Sequence, residues 1–287
     1  MGKFIAERIL KRCIVMMKTL VIGDVAQDLR LFVEKFGKIN TEQAVKYIIK
    51  CIGGAAAISS VIASKLGFIA SLLAKLGRDQ TSMNILLHLK RHGVITKWII
   101  FIPNGSTSHF VTIYDKKWNR IIYFYRYSEL TSKDIPLDSV LENDIIFLCP
   151  TSLDATITTI KYCRENDKVV AFNPSANFIG LPTNTIIELF NKIDFLFLNE
   201  EELKWYLRCD NLYECYKKLR KLNVCFAVIT RGEKGCCIYH DSKLYFIPAP
   251  RVHVIDPTNS GDILAISFLF EYYRSCLLYT SDAADDG

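Results

Sequence analysis

The sequence predicts an α/β fold in which helices cover both faces of a mostly parallel sheet. From residue 144 onward, short apolar runs alternate with longer segments of helical character, at the spacing of successive β-α-β units. Half of the 287 residues are hydrophobic, and no linker or low-complexity tract divides the chain. Because parallel strands need crossover connections, a sheet of this kind is expected to be buried on both faces.

The elements follow in order from a first apolar strand at 18–23 and an Ala-rich helix that opens after Gly54. Further strands are predicted at 68–73, 98–102, 145–148, 168–172, 195–198 and 225–229. A further helix is predicted to follow the turn at 76–79 and to end at residue 91, and others are predicted at 153–164, 184–190, 201–207 and 212–222. The β-rich segments at about 29–52 and 104–127, the second with a hairpin turn at 115–119, predict a small β-lid over the sheet.

The stretch at 254–262 predicts a short strand, a tight turn and the start of an apolar helix. Asp256 and Asn259 favour turns, and Gly261 permits close backbone approach. A helix that begins here directs unpaired N–H groups and its dipole at any anion in front of it. Asp262 could then accept a proton from a hydroxyl that attacks a bound phosphoryl group. An ordinary capped helix has the same residue types, so both interpretations stay open at this point.

Polar residues and glycines also follow other predicted strands, where open α/β sheets bind ligands. Asp28 could hold substrate hydroxyls, although residue type alone favours an ordinary loop aspartate. Gly53 and Gly54 permit close approach of either a neighbouring element or a ligand. Asn199 and the three glutamates that follow it are sufficiently explained as a helix cap and an acidic first turn. The glycine turn at 230–235 is a weak pattern by itself.

Taken in chain order, these stretches resemble the signatures of the ribokinase-like (PfkB) carbohydrate kinase family. The last turn is similar to the family's D-T/P-x-G-A-G-D signature, with Asn259 and Ser260 in place of the first Gly and the Ala. Asn tolerates left-handed backbone better than other non-glycine residues, so the turn is expected to persist. The glycine pair is similar to the family's G-G-x-x-x-N signature, with Ile58 at the Asn position. The resemblance covers residues 17–275.

The resemblance implies a ribokinase-like three-layer sandwich with a small β-lid, and ATP-dependent phosphorylation of a hydroxymethyl group on a sugar or nucleoside. It implies catalytic roles for Asn259, Ser260, Gly261 and Asp262, substrate binding by Asp28, Gly53 and Gly54, nucleotide binding by Asn173, Asn199, Thr230, Gly232 and Gly235, and a water-mediated metal contact at Glu202. The implied cofactors are ATP and Mg²⁺. A homodimer formed through the lid is a further implication.

Composition excludes several other classes of protein. The formal net charge of +6 suits anionic ligands without implying nucleic acid, and no uninterrupted apolar span is long enough to cross a membrane. Ten cysteines without a secretory signal predict reduced, mostly buried thiols in a cytoplasmic protein. No P-loop and no dinucleotide-binding Gly-x-Gly-x-x-Gly motif is present.

Both ends of the chain are expected to be unusual. Residues 1–16 precede a natural start and are interpreted as a doubtful extension, and residues 276–287 resemble a translated sequencing adapter, that is, a non-native tail. The single kinase domain is therefore predicted at 17–275. Members of the resembled family continue past residue 270 with helices that complete the adenine pocket, so the chain is expected to be truncated.

Two alternatives to a sugar or nucleoside kinase remain open from the sequence. A vitamin kinase of the hydroxymethylpyrimidine or pyridoxal type shares the sheet but usually lacks a hairpin lid. A non-catalytic sugar- or nucleoside-binding protein on the same scaffold is favoured by the departures at Ile58 and Asn259. The identity of the acceptor and the oligomeric state are not encoded in any motif of this sequence.

Overall fold

The computed structural model describes residues 17–127, 129–254, 256 and 258–282. The predictions for residues 1–16 and 283–287 lie outside the described residues. The strands are β1 (Lys18–Ile22), β2 (Ala26–Val33), β3 (Val45–Gly53), β4 (Ile69–Leu73), β5 (Lys75–Gly77), β6 (Ile100–Ile102), β7 (Ser108–Tyr114), β8 (Arg120–Tyr125), β9 (Ile145–Leu148), β10 (Val169–Phe172), β11 (Phe195–Asn199), β12 (Phe226–Thr230), β13 (Cys236–His240) and β14 (Lys243–Ile247). The α-helices are α1 (Ala55–Leu66), α2 (Gln80–Arg91), α3 (Leu137–Leu141), α4 (Leu153–Glu165), α5 (Thr183–Phe190), α6 (Glu200–Leu207), α7 (Leu212–Leu219) and α8 (Ser260–Asp282).

The central sheet has eight strands in the order β14-β13-β12-β11-β10-β9-β1-β4. All neighbours pair in parallel except β13, which is antiparallel to both β12 and β14. The β13–β14 hairpin turns through Asp241 and Ser242, both with positive φ (48° and 62°), which matches the handedness of a two-residue hairpin turn. The mostly parallel sheet is as predicted, whereas β14 was not predicted.

The order of the strands reverses direction at β1. From β1 the chain moves to β4 on one side, and from β9 it moves through β10, β11 and β12 on the other. In open α/β sheets such a switch point leaves a crevice beyond the carboxyl ends of the strands. The topology therefore predicts a ligand site beyond β1 and β9.

Alternating side chains of the central strands belong to two separate hydrophobic clusters. Leu20 and Ile22 of β1 pack into one cluster, whereas Val21 packs into the other. On β9, Ile146 joins the first cluster and Phe147 the second. Because neighbouring residues of a strand point to opposite faces, both faces of the sheet are buried, which gives three layers.

A second sheet of four strands, β3-β2-β7-β8, lies largely in the segments for which the sequence predicts a lid. It begins earlier than predicted, at Ala26, so that Asp28 lies within a strand and not in a loop. Its inner pair, β2 and β7, is parallel, and each inner strand is antiparallel to its outer neighbour. Asp115 stabilises the β7–β8 turn because its carboxylate accepts the N–H groups of Lys117 (2.8 Å) and Asn119 (2.9 Å). We call this sheet the lid.

Three sequence expectations differ from the structure. The short strand predicted at the start of the 254–262 stretch is not formed at Val254 or Asp256, which are irregular, as are residues 251–253 before them. The prolines at 248 and 250 just ahead lack the N–H groups that a sheet ladder needs. Cys209 and Cys215 form a disulfide, contrary to the expectation of reduced thiols, since the short α6–α7 connection brings their Cα atoms to 5.6 Å. Helix α7 ends at Leu219, three residues earlier than predicted. Within the described residues, no helix is both long and apolar enough to traverse a bilayer.

Candidate active site

A cleft of about 430 Å³ lies between the lid and the carboxyl ends of the parallel strands. Asp24 and Pro150, each two residues past the end of β1 or β9, line this cleft, as the switch-point topology predicts. From the body the lining includes Gly54, Asn173, Asn199, Glu202, Thr230, Asn259, Ser260, Gly261 and Asp262. From the lid and the residue after it, the lining includes Asp28, Arg30, Gly53, Phe110, Thr112, Tyr114, Arg120, Ile122, Phe124 and Arg126.

One end of the cleft is formed by the start of α8. Asn259 has left-handed backbone (φ 63°), as its position in the turn requires, and its carbonyl accepts the N–H of Ile263 at 3.0 Å. The first N–H groups of an α-helix have no partner within the helix, so those at Ser260, Gly261 and Asp262 are available to a ligand. A Cβ added to Gly261 would meet no atom within 4 Å, so this position opens directly onto free space.

The Asp262 carboxylate lies in the first turn of α8 and is held by Asn173. Asn173 donates its side-chain N–H to Asp262 Oδ1 (2.8 Å), while its own side-chain oxygen accepts the N–H of Ser175 (3.3 Å). Burial raises the pKa of Asp262 to about 7, and the negative charges of Asp24 and Glu202 add to the rise. A carboxylate with this pKa is suited to accept a proton near neutral pH.

Asp28 lies in the lid at the other end of the cleft and is 6% exposed. Its carboxylate accepts hydrogen bonds from Arg30 Nε (2.8 Å) and from the Thr112 hydroxyl (3.0 Å). Gly53 makes room for it, since a Cβ at Gly53 would come within 3.0 Å of the Asp28 Cβ. Asp28 is therefore an anchored carboxylate with a guanidinium partner.

Gly54 joins β3 to α1 and packs against the backbone that follows β1. It has positive φ (89°), and an added Cβ would lie 2.4 Å from the carbonyl oxygen of Asp24. Only glycine fits both the conformation and the space. The sequence left open whether this glycine approaches a neighbouring element or a ligand. The structure has it in close contact with a neighbouring element, at the border of the cleft.

The third group of predicted residues lies at the end of β11. Asn199 and Glu202 form a capping box: the Asn199 side chain accepts the Glu202 N–H (2.8 Å), and Glu202 Oε2 accepts the Asn199 N–H (2.9 Å). Burial raises the pKa of Glu202, against hydrogen bonds from Asn199 and Ser175 that lower it. The cap explains both residues locally, but both also line the cleft, next to Thr230.

Comparison with known proteins decides the family. Residues 16–274 match the description "pfkB family carbohydrate kinase". The chain belongs to the pfkB family. The resemblance proposed from the sequence motifs is confirmed.

Two archaeal relatives and two solved structures illustrate the similarity. A nucleoside kinase from Methanothermobacter thermautotrophicus is 26% identical over 91% of this chain and 84% of its own length. One from Methanocaldococcus jannaschii is 27% identical over 90% and 84%. A crystal structure of a nucleoside kinase from that second organism has a TM-score of 0.76 at 25% identity, covering 92% of this chain and 89% of its own. Arabidopsis thaliana ribokinase, solved with ribose and ATP, has a TM-score of 0.77 at 20% identity, covering 94% and 92%.

These findings confirm the predicted fold and the prediction of an ATP-dependent sugar or nucleoside kinase. The vitamin-kinase and binding-protein alternatives are not favoured, and the hairpin lid that vitamin kinases usually lack is present.

Two predicted nucleotide-binding residues of this pfkB chain, Gly232 and Gly235, do not line the cleft. Both have positive φ, and a Cβ on Gly235 would lie 2.0 Å from the carbonyl oxygen of Ile247. Gly235 therefore permits the close packing of β13 against the end of β14. Chain packing explains Gly235 alone, since a Cβ added to Gly232 would meet no atom within 4 Å. Thr230 is the member of the turn that lines the cleft.

The sequence interpretation missed Asp24 and the cleft face of the lid. Asp24 lies two residues past the end of β1, and burial raises its pKa to about 6, although the positive charge of Arg126 opposes this rise. Its Oδ1 atom is buried without a hydrogen-bond partner among the described residues. On β8, the alternate residues Arg120, Ile122 and Phe124 line the cleft. The two-residue period of a strand could have identified this face in advance.

Proposed function

We propose that the chain transfers the γ-phosphoryl group of ATP to a hydroxymethyl group of a sugar or nucleoside. The observation that carries this proposal is the shared cleft: a helix start with a carboxylate of raised pKa lies at one end, and an anchored carboxylate lies at the other. Asp28, together with the backbone at Gly53 and Gly54, orients the acceptor so that its hydroxyl is directed toward Asp262.

At the transfer end, Asp262 accepts the proton of the acceptor hydroxyl through its Oδ2 oxygen, since Asn173 occupies Oδ1. The acceptor oxygen forms a bond to the γ-phosphorus, the bond from that phosphorus to the β–γ bridging oxygen breaks, and ADP leaves. The N–H groups from Asn259 to Asp262 bind the charge that spreads over the transferred group. Asn173, Asn199 and Thr230 lie where the nucleotide phosphates approach.

Mg²⁺ is the proposed metal, and the donor set fits its ordinary mode of binding. Mg²⁺ usually keeps several waters and takes one or two protein carboxylates together with substrate phosphates. Glu202 provides such a carboxylate on the nucleotide side, and within the described residues no cluster of three metal-ligating side chains forms a dedicated cage. When bound, the ion would neutralise phosphate charge. Full turnover in excess EDTA would contradict this assignment.

Among acceptors, we propose a nucleoside rather than a free sugar. The lid surface of the cleft carries Phe110, Ile122 and Phe124, and the two curated relatives described above are nucleoside kinases. Flat bases stack on aromatic and apolar side chains, whereas a pentose has little apolar surface to place there. Residues 17–275, with the lid segments, are proposed to form one kinase unit.

A homodimer through the lid is supported by the outer face of that sheet. The register places Ile48, Leu31, Ile113 and Ile121 in one row across all four strands on the side away from the cleft. Ile48 and Ile121 are exposed, as is Tyr123 in the next row. An exposed apolar face of this kind favours association with a second copy. Light scattering that finds only monomer for the wild type at micromolar concentration would exclude this dimer.

The cytoplasm is the proposed compartment. Six described cysteines are free thiols, and the exception is the buried Cys209–Cys215 pair, which joins the connection after α6 to α7. Recovery of the protein with secreted material in cell fractionation would contradict this proposal.

The central experiment is a panel of purine and pyrimidine nucleosides, ribose and fructose, each with ATP and Mg²⁺. We expect acceptor-dependent ADP release with a phosphorylated nucleoside as the product. Asp262→Asn is the matched control and should lower kcat by roughly 10²–10⁴ while the protein stays folded. No acceptor-dependent turnover, or an Asp262→Asn variant within tenfold of wild type, would refute the proposed mechanism.

A further inference from the structure

Arg30 connects the two ends of the cleft. It lies on β2, two residues after Asp28, and its side chain is 14% exposed. Its Nε donates to Asp28 Oδ2 at 2.8 Å, and a terminal nitrogen donates to Asp256 Oδ2 at 2.9 Å. One guanidinium therefore joins the carboxylate of the lid to the loop that leads into α8.

The loop side of this bridge is itself ordered by the lid. Asp256 Oδ1 accepts the N–H of Thr258 (2.9 Å), and the Thr258 hydroxyl bonds to the hydroxyl of Tyr114 on β7 (3.0 Å). The residue after Thr258 is Asn259, whose left-handed backbone sets the direction in which α8 begins. Two contacts from the lid thus hold the turn that aims the N–H groups and Asp262.

The chemistry of the bridge is specific to arginine. A guanidinium offers several N–H donors in a fixed planar fork, so it can bind two carboxylates at once with defined geometry. A lysine ammonium is a single charged point, which can pair with Asp28 but cannot reproduce both directed bonds from the same backbone position.

We propose that Arg30 is a positioning residue that couples acceptor recognition at Asp28 to the phosphoryl-binding turn at 256–262. This inference rests on the proposed function. Arg30 keeps Asp28 paired and also fixes the turn through Asp256, so its loss weakens acceptor binding and slows transfer. The effect on transfer passes through Asp256, whereas the effect on acceptor binding does not.

A double-mutant cycle separates these two effects. Arg30→Met, Asp256→Asn and the double variant are assayed for kcat and for KM of the acceptor and of ATP. Asp256→Asn keeps an oxygen for the Thr258 N–H but loses the charge that Arg30 binds. Each single change should lower kcat about tenfold. Since both act on one bridge, the double variant should have the kcat of Arg30→Met, and only variants lacking Arg30 should have a raised acceptor KM.

Arg30→Lys and Lys46→Met complete the set. Arg30→Lys should recover most of the acceptor KM without recovering kcat. Lys46 pairs with Glu34 on the exposed edge of the lid, so Lys46→Met removes a lid charge elsewhere and should match wild type. Multiplicative losses of kcat in the double variant, or recovery of kcat by lysine, would overturn the role of Arg30 while leaving the kinase assignment intact. Absence of turnover in wild type and Lys46→Met would overturn both.

Discussion

The two ends of the cleft each hold a carboxylate, and the protein treats them in opposite ways. Asp28 is paired with the guanidinium of Arg30 and with a hydroxyl of the lid. Asp262 has one neutral amide partner, Asn173, and its burial, together with the negative charges of Asp24 and Glu202, raises its pKa. The difference teaches that the partners of a carboxylate, rather than its residue type, decide which role it suits. A carboxylate paired with a guanidinium is suited to hold a ligand, whereas one without a cationic partner and with a pKa near 7 is suited to accept a proton.

The largest expected effect tests this division of roles directly. Asp262→Asn should lower kcat by roughly 10²–10⁴ with little change in acceptor KM. Asp28→Asn should instead raise the acceptor KM by about 10- to 100-fold and lower kcat less, since it removes charged hydrogen bonds to the acceptor. Steady-state kinetics with the best nucleoside decide the matter. If both variants changed the same parameter, the two ends would not be functionally distinct.

Glycines at the two ends sharpen the same comparison. Gly261→Ala places a methyl group in open space, so the protein should keep its stability. The kcat should fall roughly 10- to 100-fold, because the methyl group narrows the space in front of the α8 N–H groups, where the phosphoryl group binds. Gly54→Ala should destabilise folding by more than about 2 kcal/mol because of its positive φ and a 2.4 Å contact. Urea unfolding together with kcat measurements separates the two outcomes. A stable, active Gly54→Ala protein would contradict the close approach inferred for that connection.

The stability of the fold should depend on pH through Asp262. Its pKa rises from 3.8 to about 7 on folding, so between these values the folded state binds a proton that the unfolded state has lost. Stability therefore falls as pH rises through this window, and Asp262→Asn should relieve a cost on the order of a few kcal/mol at pH 8 and little at pH 4. Thermal melts across this range test the trend.

Asp154 supplies the control of opposite sign. It lies in the first turn of α4, and hydrogen bonds from Ser152 and Ser132 lower its pKa to about 2. Its stabilising contribution is present above the unfolded pKa near 3.8 and is lost as pH falls through the folded value, so Asp154→Asn should destabilise the protein at pH 8. Equal melting shifts for Asp154→Asn and Asp262→Asn would argue against the desolvation of Asp262.

The smallest expected effect concerns Asp24. Its negative charge helps to raise the pKa of Asp262, so Asp24→Asn should lower that pKa and move the acid limb of kcat/KM to lower pH. Near pH 6 we expect the kcat/KM of Asp24→Asn, as a fraction of its own plateau value, to be roughly severalfold higher than that of the wild type. At pH 9 we expect no difference. Glu142→Gln, which removes a surface charge paired with Lys97, is the control. An unchanged acid limb would mean that Asp24 does not act on Asp262.

The sequence was sufficient for the fold and for the grouping of most candidate site residues. Strands such as β9 and β10 are continuous apolar runs, because both of their faces are buried, and they were placed within one residue of their observed bounds. Asp262 and Glu202 lie in the first turns of α8 and α6 at the carboxyl edge of the parallel sheet, so their meeting in one cleft follows from topology. Asp28 reaches the same cleft from β2 of the lid.

The remainder depends on contacts between distant parts of the chain. Arg30 and Asp256 are separated by 226 positions, and no local pattern predicts that they meet. The raised pKa of Asp262 results from burial and from the charges of Asp24 and Glu202, which lie far from it in sequence. Gly235 had the spacing of a phosphate-binding glycine but serves chain packing, since a glycine pattern alone does not distinguish a ligand from a neighbouring strand.

The connections between lid and body constrain how the cleft can open. Residues 23–25 are all that separate β1 from β2, and Gly54 is all that separates β3 from α1. Connections this short keep the adjoining ends of β2 and β3 close to the sheet, so the end of the lid farthest from Gly54 has the most freedom to move.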